Sequence, residues 1–178
     1  MDINQIQIGD VWCYPGIGPV RLRDLIVEQN HGKVQRTTKW NPVSQPGITH
    51  IIAQDKLDKV LRPLTSQGEV IQIFEALGEP NTLFNEAFSQ RCRDQKEKLR
   101  VGGALELAEM CRDLYRRKKT GEPHKLAQTE KENLDKAMQM LVAEMSLALE
   151  CEPAVARRRI EEAIEKPLRK PKRKIPYV

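Results

Sequence analysis

Arg91, Arg93, Lys96, Lys98 and Arg100 fall within ten residues, opposed only by Asp94 and Glu97. Guanidinium and ammonium groups at this density hold phosphates without reading a base sequence, and the attraction falls steeply with salt. The same composition also describes an ordinary solvated helix face laced with ion pairs. A second basic run, LRKPKRK at 168–174, closes the chain. Its prolines keep it extended, so it has long reach and little specificity, as a phosphate-binding arm or as a solubilising end.

Catalytic chemistry finds no comparable foothold. His31, His50 and His124 lie in unrelated settings, and none has a cysteine or acidic neighbour at metal-ligand spacing. No serine or cysteine stands in a nucleophile elbow, and there is no phosphate-loop or dinucleotide fingerprint. Gly16-Ile17-Gly18 continues into Pro19, which removes an amide that a phosphate would use. The sequence predicts a non-enzyme with no metal and no cofactor.

The elements that must position the basic stretch follow from periodicity. Between Thr129 and Leu149, the residues Leu134, Met138, Leu141, Met145 and Leu149 recur at three- and four-residue steps. That is one apolar stripe on a helix of about six turns, which other helices must cover. Thr129 and Glu132 have capping-box spacing and predict its start. Val70, Ile71, Phe74 and Leu77 predict a short amphipathic helix ended by Gly78 and Pro80, led in by Ser66 and Gly68. Asn81 to Arg100 carries Phe84, Phe88 and Leu99 in helical phase and stops at Gly102-Gly103. Ala104 to Lys119 is predicted to bury Leu105, Ala108, Cys111 and Leu114, and Gly121-Glu122-Pro123 is a loop. Pro153 suits a first helical position, with Val155, Ile160, Ala163 and Ile164 behind it.

Before these helices, the chain reads as strands. Ile6, Ile8 and Val11 precede the breaker Tyr14-Pro15-Gly16, and Val20 to Val27 is rich in branched residues. Asn30-His31-Gly32-Lys33 suits a hairpin turn, Lys33 to Trp40 alternates, and Ile48 to Ile52 is a further strand. Four or five short strands in about fifty residues suggest a small antiparallel barrel. The predicted class is α+β: a barrel at 1–66, a five-helix domain at 67–165, and a basic, disordered tail at 166–178.

Composition fits this plan. The 178 residues are 39% hydrophobic, 31% charged and only 4% aromatic, which suits compact cores under a solvated surface. Net charge is +2 over 1–67, −3 over 68–165 and +6 over 166–178, an asymmetry that points to a polyanionic partner such as nucleic acid. No eighteen-residue apolar run and no signal-peptide pattern occur, so a cytoplasmic protein without a membrane role is expected. Cys13, Cys92, Cys111 and Cys151 are widely spaced and read as reduced thiols, mostly filling cores.

Four segments carry a resemblance. GDVWCYPGIG, residues 9–18, resembles the GDxxxYPxxG opening of the CarD/CdnL family of bacterial RNA-polymerase-binding transcription regulators. Leu61-Arg62-Pro63-Leu64 is similar to the LRPL that closes that family's N-terminal domain, and AEMCRDLYRRKK at 108–119 continues the likeness. KLAQTEKENLDKAMQMLVAEMSLALE at 125–150 resembles the family's L-S-x-x-E-x-x-x-L-x-x-A-x-x-L-L-x-x-E-L pattern, with Thr129 at or beside the capping serine. The four pieces lie in order and cover about residues 3–165.

The resemblance implies a Tudor-like (SH3-like) barrel that docks on the β subunit of RNA polymerase. The helical domain then reaches the upstream edge of the promoter bubble, where an aromatic side chain wedges into the minor groove. The result is a more stable open complex without sequence-specific readout, catalysis or cofactor. In the family the wedge is usually tryptophan, and Phe88-Ser89 stands where the family has Trp-Ser. Phenylalanine can still push between bases but lacks an indole N–H. The other reading of Phe88 is a core residue in phase with Phe84 and Leu99. Arg91 and Arg93 fall where the family places basic residues that touch DNA, and Lys96 and Lys98 extend the set.

On the barrel, the family's polymerase-binding arginines correspond to positions near Glu28 and near His50-Ile51. Glu28 inverts the expected charge, while Trp40 and Ile48 to Ile52 suggest an apolar, aromatic strand edge. The expected partners are the polymerase β subunit and promoter DNA, bound by a monomer. Two rivals stand beside this reading. One is a protein–protein adaptor with no DNA role, and the other is a general DNA-binding protein that acts without polymerase.

Overall fold

The computed structural model describes residues 6–30, 33–82, 87–121 and 125–166. Outside them lie the expected turn at His31-Gly32, Phe84, the Glu122-Pro123 loop with His124, and all of the tail beyond Lys166. The described chain is α+β, a four-stranded antiparallel sheet followed by six helices.

The strands β1 (Val11–Tyr14), β2 (Gly18–Asn30), β3 (Lys33–Pro42) and β4 (His50–Ala53) form a meander in that order. Ile6 and Ile8 precede β1 and belong to no strand, and Ile48 lies before β4. β2 and β3 are 13 and 10 residues long, so the expectation of uniformly short strands is corrected. A bulge between Leu22 and Asp24 leaves Arg23 unpaired. The extra residue keeps Leu22 and Leu25 on one face, opposite Trp40 and Thr38 respectively. That face holds the first core, formed by Val20, Leu22, Trp40, Ile52, Leu57 and Leu61.

Trp40 is wholly buried there, and its indole N–H donates to Thr38 Oγ1 at 2.7 Å. Thr38 Oγ1 in turn donates to the Ile52 carbonyl at 2.9 Å, so both polar groups of this core are satisfied. After β4, a 3₁₀ turn (Gln54–Lys56) and α1 (Leu57–Val60) carry the chain across the sheet. Arg62 then pairs with Cys13 through two backbone hydrogen bonds of 2.8 and 2.9 Å. The chain thus re-enters on the far side of β1 and curls the sheet towards a barrel.

The helices are α2 (Gln67–Gly78), α3 (Phe88–Val101), α4 (Ala104–Thr120), α5 (Gln128–Ala148) and α6 (Pro153–Glu165). α2 starts at a true capping box, in which Ser66 N–H donates to Glu69 and the Glu69 N–H returns to Ser66 Oγ. Pro153 opens α6 as its composition predicted, and Gly121 closes α4 at φ 72°, a conformation open to glycine. Three expectations are corrected. Asn81 and Thr82 are not helical. Ile71 and Leu105 are exposed, and their neighbours Ile73 and Leu107 face the core instead. α5 is capped at Ala127 and not at Thr129: the Ala127 N–H donates to Glu130, while Glu132, two residues further on, lies exposed.

α5 is central to the second core, and it is covered on more than the predicted stripe. Leu134, Ala137, Met138, Leu141 and Met145 face the other helices, while Met140 meets the start of β2. Gly18, at φ 99°, lies against Met140, and Gly16, at φ 79°, lies against the last turn of α3. A side chain at either glycine would strain the backbone. The YPGIG turn is therefore the knuckle by which the sheet rests on the helices. Among the described residues no helix is long and apolar enough to cross a membrane.

Candidate nucleic-acid interface

α3 runs from Phe88 to the Gly102-Gly103 break, and its sides differ sharply. At 100° per residue, Arg93, Lys96 and Arg100 occupy about a sixth of the circumference. All three are exposed. Arg100 is engaged by Glu97 through hydrogen bonds of 2.7 and 3.0 Å, a surface pair that costs little to separate. Arg93 and Lys96 project from the same stripe. Phe88, the first residue of the helix, is 47% exposed, so the core reading of Phe88 does not hold. Its partner in phase, Leu99, is buried at the other end of α3.

The remaining two cations turn away from this stripe. Arg91 is only 7% exposed, and its Nε donates to Glu130 Oε1 at 3.1 Å. Lys98 is half-buried, with Nζ 3.1 Å from Glu109 Oε2 on α4. Both were expected to contact DNA, and both are committed to carboxylates of neighbouring helices. The physical reason is helical phase: two residues from Arg93 in either direction lies the face that packs on α4 and α5.

Glu130 was missed by sequence reasoning and organises this region. It is wholly buried, and besides Arg91 it accepts from Arg117 Nη1 at 3.0 Å and from the Ala127 amide at 3.1 Å. Gln95 lies at the edge of this network, 3.5 Å away, and accepts a 2.9 Å bond from Asn133. Burial pushes the Glu130 carboxyl up. Hydrogen bonds from Arg117, the Ala127 amide and Arg91 more than reverse this and hold it below the usual carboxylate range.

A second buried carboxylate, Glu144, stands near the other end of α5. Arg62 grips it with two parallel bonds of 2.7 Å, and Thr65 adds its hydroxyl at 2.6 Å and its amide at 3.2 Å. Burial raises the Glu144 carboxyl, but the Arg62 bonds and charge bring it below its ordinary range. Nearby, burial next to Glu144 pushes the Cys13 thiol well up. On α4, burial pushes Cys111 up to about 12, so both remain inert thiols. A sequence signal for both glutamates existed. They stand at the two E positions of the 125–150 pattern, and Arg62 is the R of LRPL.

The expected polymerase-binding set is divided by the sheet. Trp40 pairs with His50 on the inner face, so Trp40, being fully buried, offers no contact surface and is struck from that set. His50 is half-buried and meets Tyr14 edge-on at 5.7 Å between ring centroids. Glu28 and Ile51 alternate to the outer face, and both are exposed. Ile51 lies on β4, an edge strand of the described sheet. The inner face also continues past the core: Leu25, Val27 and Val34 are exposed along the long β2–β3 hairpin. Among the described residues no three His, Cys, Asp or Glu side chains converge as a metal site.

A family model described as CarD, C-terminal domain, matches residues 72–161, half of the chain. The match runs from within α2 into α6 and contains α3 and both buried glutamates.

Proposed function

The chain belongs to the CarD family of transcription regulators, and on that premise we propose that it anchors to the RNA polymerase β subunit and stabilises the promoter open complex. The sheet is the anchor, through the outer face around Glu28 and Ile51 and the free edge of β4, with His50 at its margin. α3 is the DNA-contacting element. Phe88 wedges at the upstream fork of the bubble, and Arg93 and Lys96 hold phosphates without regard to sequence. No chemical step is catalysed.

The observation that carries this reading is the exposure of Phe88 at the head of a helix whose free cations share one stripe. An aromatic side chain half open to water has no role in the core, and unstacked bases supply the apolar surface it lacks. Tethering raises the local concentration of this weak contact. A better fit to melted than to closed promoter then shifts the equilibrium towards the open state.

The test uses the full chain with RNA polymerase of the same organism. Saturable binding to the β subunit, together with an open complex whose lifetime falls about tenfold on Phe88→Ala, is the expected result. That is the scale of one aromatic–base contact, ~1–3 kcal/mol. Absence of β-subunit binding at tens of micromolar would move the function to an adaptor for another protein. Tight binding to naked duplex without polymerase would move it to a general DNA-binding protein.

A further inference from the structure

Phe88 is exposed but not loosely held. The guanidinium carbon of Arg91 lies 5.7 Å from the centroid of its ring, one helical turn on. An aromatic side chain on the first turn of a helix has several staggered rotamers open to it. A cation fixed under one face of the ring favours the rotamer that lies over that cation. Arg91 meets the requirement of being fixed, because its Nε is tied to Glu130, which Arg117 and the Ala127 amide hold in turn.

The origin of each part matters. Glu130 belongs to the first turn of α5 and Arg117 to the last turn of α4, so the seat under Phe88 is built by three helices. Arg91 is too deeply placed to reach a phosphate, and its charge is already committed to Glu130. Its guanidinium carbon lies over the ring of Phe88, a side chain that faces solvent.

We propose that Arg91 is a positioning residue for Phe88: held by the buried Glu130, its guanidinium seats the ring in the outward geometry in which it enters the DNA. The inference rests on the reading of Phe88 as the wedge. It replaces the expectation that Arg91 itself touches DNA.

A double-mutant cycle on open-complex lifetime tests it, with full-length wild type, Phe88→Ala, Arg91→Met and the double variant on polymerase holoenzyme. Arg91→Met keeps the length and apolar packing of the side chain. It should shorten the lifetime about threefold in the wild-type background, the scale of one cation–π contact, and not at all in the Phe88→Ala background. The salt dependence of DNA binding should keep its slope. Losses that multiply, or a slope smaller by about one, would mean that Arg91 contacts DNA directly and would overturn the proposal. If Arg91→Met does not fold, the same cycle with Arg91→Lys decides, since it keeps the charge but not the planar fork.

A spectroscopic arm separates positioning from general stability. With the three phenylalanines fluorinated, the Phe88 resonance is assigned by its loss in Phe88→Ala. Faster relaxation of that resonance alone in the Arg91 variant supports the proposal, and unchanged relaxation overturns it. Should Phe88→Ala by itself leave the lifetime unaltered, the wedge reading fails first, and that failure is visible before any Arg91 variant is made.

Discussion

The two buried carboxylates of α5 stand fourteen residues apart, about 21 Å by the rise of a helix, and do different work. Glu130 joins helix to helix: it gathers Arg91 from α3 and Arg117 from α4, one negative charge against two positive ones. Glu144 joins the helices to the sheet, one charge against one, in a bidentate pair closed by the Thr65 hydroxyl. The cations differ in access to water as well. Arg91 and Arg117 are buried, whereas the Arg62 side chain is 30% exposed and Glu144 only 1%. The first site sets what α3 presents to solvent. The second ties the end of the sheet segment to α5, the helix that also carries Glu130.

This contrast orders the expected effects of breaking each site. Glu130→Ala leaves two buried guanidiniums without their carboxylate and should cost about 3–5 kcal/mol or prevent folding, read by urea denaturation. Glu144→Ala should cost less, about 2–3 kcal/mol, because Arg62 can turn to water once released. Hydrogen exchange at residues 62–65 should rise with it while the helical core stays protected. Equal costs would mean that Arg62 is held as tightly as Arg91.

Acid should weaken both sites with the same sign. Each carboxyl is held below its ordinary range in the folded chain, so the stability it adds is complete above the unfolded value of about 4.3. That stability drains away as pH falls through the lower folded value. Thermal melts should therefore be flat from neutrality to about pH 5 and fall below it, and Glu144→Gln should flatten part of the acid limb. The smallest change in stability belongs to Arg93→Ala and Lys96→Ala, which remove exposed side chains. Each should nonetheless lower the salt slope of DNA binding by about one, while Lys98→Ala should not, since Lys98 is held by Glu109.

Local chemistry was readable in the residues themselves. The apolar steps from Leu134 to Met145 lie on α5, Pro153 opens α6, Gly121 closes α4, and Tyr14-Pro15-Gly16 ends β1. Those features act within a turn or two, where sterics and hydrogen bonding along one segment decide the outcome. Even the α5 cap failed by only two residues, since Thr129-Glu132 and Ala127-Glu130 share one spacing and only one has its glutamate buried.

The division of cations into bound and free was not readable. Arg91 and Arg93 are the same residue type two positions apart, yet one is buried against Glu130 and the other faces water. Likewise Trp40 reads as an edge aromatic in the sequence, and only its register against Leu22 on β2 and His50 on β4 turns it into the core. The amino-acid sequence by itself determined where helices and strands form and that a dense cationic segment lies on one of them. Tertiary structure alone decided which of those charges remain available, because Glu130, which holds Arg91, is thirty-nine residues away on α5. A charge paired in a dry interior is spent on folding, and only packing between distant segments excludes the water that keeps it free.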